Sequence, residues 1–135
     1  MRRWTLLVCF CTLFAGAVVA ADLNLDDFDD DLMDNMDDAY KDLESVISAH
    51  NAASAKTDAE TLRQGLGKAG QYFAAKGGAQ DAVDWSRDAV ASAQKILDAL
   101  EKKDFDAALT ATHETKKICK SCHDVYKHKD KDKGP

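Results

Sequence analysis

From Leu25 onward, apolar residues recur at steps of three and four, and no stretch alternates apolar with polar as a strand does. Leu25, Phe28, Leu32, Met36, Ala39, Leu43, Val46 and His50 form one such series. Met33, Met36, Tyr40, Leu43 and Ile47 form a second beside it, so the pattern predicts a first helix over about 25–54 with a broad apolar face. Asp residues crowd its first turns, where they favour the positive end of the helix dipole. Thr57 with Glu60 three positions on is a capping box and predicts the start of a second helix, in which Leu62, Leu66, Ala69 and Phe73 share a face. Gly65, Gly67 and Gly70 each weaken that helix by about 1 kcal/mol relative to alanine. In return they let another helix, or a flat ligand, come close. Gly77-Gly78 ends it. A third helix over 79–100 has Ala82, Val83, Ala89, Val90, Ala93, Ile96, Leu97 and Leu100 on its inner face, and Asp104 caps a fourth that runs to about His128.

The expected connections are about three residues long, and connections that short make successive helices antiparallel. The predicted fold is all-α, an up-down-up-down antiparallel four-helix bundle. It forms one domain over 22–135, with a short charged tail at 129–135 and no internal repeat.

The residues before this domain follow a different pattern. Arg2 and Arg3 precede an apolar run from Trp4 to Phe14 and a small-residue stretch from Ala15 to Ala21. That order is the signature of a secretory signal peptide, predicted to span 1–21 with cleavage after Ala20 or Ala21. Trp4 to Ala21 is 18 residues, at the short limit for a spanning helix, so export is expected rather than stable membrane insertion. Cys9 and Cys11 are then passive residues of the discarded segment.

Cleavage changes the charge. Losing Arg2 and Arg3 leaves 16 of the 18 basic residues against 24 acidic ones, a mature side-chain charge of −8. Nucleic acid is not an expected partner, because its phosphates need Lys and Arg. Ten Asp fall between Asp22 and Asp42, and seven Lys between Lys116 and Lys133. Both clusters read first as solvated faces and tails. Their other use is steering redox partners into contact.

The mature chain keeps two cysteines, in Cys119-Lys120-Ser121-Cys122-His123. This is the C-x-x-C-H sequence of c-type haem attachment. Two thiols three apart on a helix project to one side, where they can add across the vinyl groups on one edge of a porphyrin. The histidine after the second cysteine then reaches the iron. At about 100° per residue, Cys119, Cys122, His123 and Tyr126 share roughly 100° of arc, the face such bundles use for cofactors. A thioredoxin-like pair would want a strand before it and a βαβ surround. A zinc site would want a second pair of ligands. Neither context is present, so one covalent haem c, held by Cys119, Cys122 and His123, is the expected cofactor.

A four-helix bundle whose last helix carries C-K-x-C-H-D-x-Y-K resembles the class II c-type cytochromes, the cytochrome c′ family. The resemblance spans Asp22 to about Lys129, and Trp85-Ser86 is similar to a Trp-Ser at a like place in that family. Its haem motif is the specific part. The resemblance implies a periplasmic electron carrier with redox proteins as partners; an enzyme such as a peroxidase has least support, because no separate acid–base pair is legible beside a free coordination position. Family members often pair as homodimers through their first two helices, a state open to this chain. One branch of the family leaves the iron face opposite the histidine open and binds nitric oxide or carbon monoxide. In the low-spin branch a methionine early in the first helix fills that position, within a Leu-Met that Leu32-Met33 matches. Met33 is therefore the expected second iron ligand, with Met36 as the substitute and an open site as the alternative. Met–His ligation raises the reduction potential and suits electron transfer. Lys127 stands where many members have Arg near the haem propionates; it keeps the charge but not the bidentate fork. His50 and His113 are too far along their helices, about 25 Å from Met33 and 15 Å from His123, to share one iron with them. They read as packing or surface residues, as His128 does.

Overall fold

The structure is a computed structural model and describes residues 29–127. Four helices follow one another: α1 (Asp30–Ser48), α2 (Ala52–Lys76), α3 (Gln80–Glu101) and α4 (Phe105–Tyr126). The predicted signal peptide, the apolar positions Leu25 and Phe28, His128 and the charged tail lie outside the described residues. Each helix packs against its two neighbours in the cyclic order α1, α2, α3, α4, and the α1–α4 seam is the sparsest of the four. This is the antiparallel up-down-up-down bundle that the short connections require. Among the described residues no helix is long and apolar enough to cross a membrane.

Local signals set the helix ends. Asp29 opens α1, its side chain accepting the Leu32 N–H at 3.3 Å, with Asp30 and Asp31 in the first turn. Asp104 caps α4 in the same way through the Ala107 N–H at 3.0 Å. Gly77 closes α2 at φ 72°, in the left-handed region that glycine enters without strain.

Three boundaries differ from the sequence pattern. Asp29 is the extended cap of α1, so the first helix starts at Asp30 rather than at about 25. The first helix ends at Ser48 rather than continuing to Ser54, and the second begins at Ala52 rather than at Thr57. His50 takes φ 56° in the turn between them, and its ring stacks on Phe105 at 4.4 Å. The α2 cap is Asn51, whose side chain accepts the Ser54 N–H at 3.2 Å. Thr57 lies inside the helix with its hydroxyl donating back to the Ala53 carbonyl, and Glu60 pairs with Arg63 instead of closing a capping box.

Leu43, Ile47 and Ile96 are fully buried at the centre. Two glycines set how closely the helices approach. A Cβ on Gly65 would collide with Cγ and Sδ of Met36, so α1 rests on the α2 backbone there. A Cβ on Gly70 would lie 3.0 Å from Ser86 Cβ on α3. Two buried hydroxyls pair at the α3–α4 interface: Ser92 Oγ donates to the Ala111 carbonyl at 3.1 Å and accepts from Thr115 Oγ1 at 2.9 Å.

Candidate functional site

A cavity of about 400 Å³ opens inside the half of the bundle where α1 starts and α4 ends. That volume lies within the range of about 300–1,000 Å³ usual for small-molecule and cofactor sites. Every helix contributes a wall. Leu62, Leu66 and Phe73 come from α2, and Trp85, Ser86 and Ala89 from α3. Met33, Met36 and Tyr40 come from α1, facing Cys119, Cys122 and His123 of α4. Lys116, Lys117 and Lys120 stand around it with Asp37 and are exposed. All five residues that the sequence singled out for the cofactor therefore meet at one cavity, although Met33 and His123 are ninety positions apart in the chain.

The antiparallel α1–α4 pairing brings them level. Asp37 is held below the usual carboxylate range mainly by its hydrogen bond to Lys41, with weaker help from Lys127 and His123. Tyr40 has its phenol pushed up by burial and by Glu44, with Cys119 a further neighbour. The stretch from Met33 to Tyr40 thus runs alongside the stretch from Cys119 to Lys127.

The two methionines differ in surroundings. Met36 is buried against Gly65, so its thioether is engaged in helix packing. Met33 is half-buried, one helical turn nearer the start of α1, and packs on the margin of the core.

Burial pushes both thiols up to about 11, and Cys122 is raised further by the charges of Cys119 and Asp81. At neutral pH both are S–H. An attacking thiol of a dithiol redox pair has its pKa lowered instead. Burial, helped by Lys127, lowers the pKa of His123 against the opposing pull of Asp37 and Asp124. Its imidazole is neutral at pH 7, the form that offers a metal a lone pair.

Among the described residues no three His, Cys, Asp or Glu converge as a donor set for a bare metal ion. A porphyrin brings four nitrogens of its own and asks the protein only for axial donors. One neutral histidine, methionine sulfurs on the facing helix, two thiols on one edge and otherwise apolar walls fit that group and do not fit a four-ligand zinc site.

The other sequence candidates fall elsewhere. His113 is exposed and pairs through Nε2 with Glu44 at 3.2 Å, and His50 lies in the α1–α2 turn at the opposite end of the bundle. Tyr126 is buried on the inner face against Phe73, their rings 5.4 Å apart. Lys127 is exposed at the end of α4.

Two features of the site were not singled out from sequence. Tyr40 donates to Glu44 at 2.7 Å, a spacing of four that could have been read from the chain. Asp81 accepts from Tyr126 across 45 positions, for which no local signal exists.

Compared with known proteins, the chain matches no family model, no curated protein and no solved structure.

Proposed function

We propose that this chain is an exported, periplasmic c-type cytochrome of the cytochrome c′ type, carrying one haem c and passing electrons between redox proteins. The observation that carries the reading is the meeting of Cys119, Cys122 and His123 with Met33 and Met36 at one apolar cavity. When bound, the haem supplies a one-electron iron couple. Cys119 and Cys122 would hold it covalently to α4. His123 would offer the iron a neutral imidazole nitrogen, and Met33 would offer it a thioether sulfur from α1. Met36 secures the α1–α2 contact that carries Met33. The mainly apolar side chains that α2 and α3 contribute favour a small reorganisation on electron transfer. The reading is of a carrier, not an enzyme.

The test is the optical spectrum of protein matured in a host that attaches haem to C-x-x-C-H sequences. Sharp reduced bands with a weak far-red sulfur–iron band in the oxidised form support methionine ligation. Broad high-spin bands with rapid carbon monoxide binding would replace the carrier by a gas-binding protein with an open sixth position.

A further inference from the structure

The last turn of α4 is held by a contact that the haem chemistry does not itself require. Tyr126 donates its hydroxyl to Asp81 Oδ1 at 2.6 Å. Asp81 lies in the first turn of α3, and the same Oδ1 accepts the Ala82 N–H at 2.9 Å, which anchors the carboxylate to its own helix. The Tyr126 ring is buried against Phe73 near the end of α2. Three helix ends therefore meet at one tyrosine. Tyr126 is one turn beyond Cys122 and His123, on the same face of α4, and Cys122 packs against this same cluster. A helix end frays unless something ties it down, and here Tyr126, the residue that makes the tie, is the last residue of α4.

We propose that Asp81 and Tyr126 are a positioning pair that fixes the height and roll of the C-x-x-C-H turn, and so the direction in which the His123 ring faces the iron. This rests on the haem reading above. The hydroxyl gives direction where ring packing alone would let the turn rotate, because a hydrogen bond weakens steeply as it bends. Asp81 does not line the cofactor cavity; it acts through Tyr126.

The experiment uses the haem-loaded protein and its Tyr126→Phe, Asp81→Ala and Asp81→Asn variants. Readouts are haem staining on a denaturing gel, the paramagnetically shifted haem methyl resonances, and amide exchange over 122–126. The methyl pattern reports the orientation of the axial histidine, which a general loss of stability does not move. Tyr126→Phe and Asp81→Ala should keep the stain but redistribute the methyl shifts and speed amide exchange over 122–126 by about fivefold, the worth of one hydrogen bond. Asp81→Asn keeps an acceptor oxygen and should restore the parent pattern. A stained Tyr126→Phe protein with unchanged methyl shifts and unchanged local exchange overturns the positioning role, as does Asp81→Asn behaving like Asp81→Ala. No stain in the unsubstituted protein overturns the haem reading itself, and the positioning role with it.

Discussion

Met36 rests directly on Gly65, its Cγ and Sδ occupying the place that any Cβ at that position would need. The contact joins α1 to α2 beside the cavity and divides the labour of the two methionines. Gly65→Ala gains helix propensity of about 1 kcal/mol, yet overpacking a filled interface costs about 1–3 kcal/mol. The flexible thioether can yield part of the way. The expected result is a net loss of about 1 kcal/mol in urea unfolding, with Met36 displaced toward the cavity.

Met33→Ala and Met36→Ala should separate along two axes. Truncating buried Met36 should cost about 2–5 kcal/mol of stability and change the haem spectrum little. Truncating half-buried Met33 should cost less stability but raise the high-spin fraction, lower the reduction potential and open the iron to carbon monoxide. Paired urea titrations and optical spectra of the two variants check this, and the reverse assignment of effects would make Met36 the ligand.

The α2 cap gives a second pair of substitutions. Asn51→Ala removes the acceptor of the Ser54 N–H and should cost about 1 kcal/mol. Thr57→Ala removes only an exposed hydroxyl bonded back to Ala53 and should stay within about 0.5 kcal/mol of the parent. Chemical denaturation midpoints at matched slope read both.

Acid should act on the α1–α4 seam through Glu44. Tyr40 donates to this carboxylate and, with Lys116 and His113, holds its pKa below the ordinary 4.5 against some desolvation. A carboxylate with a depressed folded pKa adds stability above its unfolded pKa, and that stability is lost as pH falls through the folded value. Stability should therefore fall with pH below about 4.5, and Glu44→Gln should flatten that part of the profile. Denaturation midpoints taken between neutral pH and the acid limb provide the check; a Gln variant with the parent's acid slope would remove Glu44 from the account.

The bundle was legible because Leu43, Ile47, Ile96 and their neighbours keep a helical period, and because Asp104 and Gly77 are strong end signals. The α1–α2 turn was not. Ala49, His50 and Asn51 include neither Gly nor Pro, and His50 enters the left-handed region where its ring stacks on Phe105, a residue 55 positions away. Thr57 and Glu60 have the spacing of a capping box, but Asn51 had already started the helix, so both ended inside it. At the cavity, Cys119, Cys122 and His123 were readable as a local motif, and their meeting with Met33 follows from antiparallel order alone. The Asp81–Tyr126 bond depends on how three helix ends converge, which no periodicity records.

Covalent haem is the claim on which the rest depends, and intact mass under denaturing conditions tests it most directly. Protein recovered from a haem-attaching host should have the mass of the chain without its signal segment plus one haem, and neither Cys119 nor Cys122 should react with a thiol reagent. The bare mass of the chain, with both thiols open to alkylation after denaturation, would contradict it.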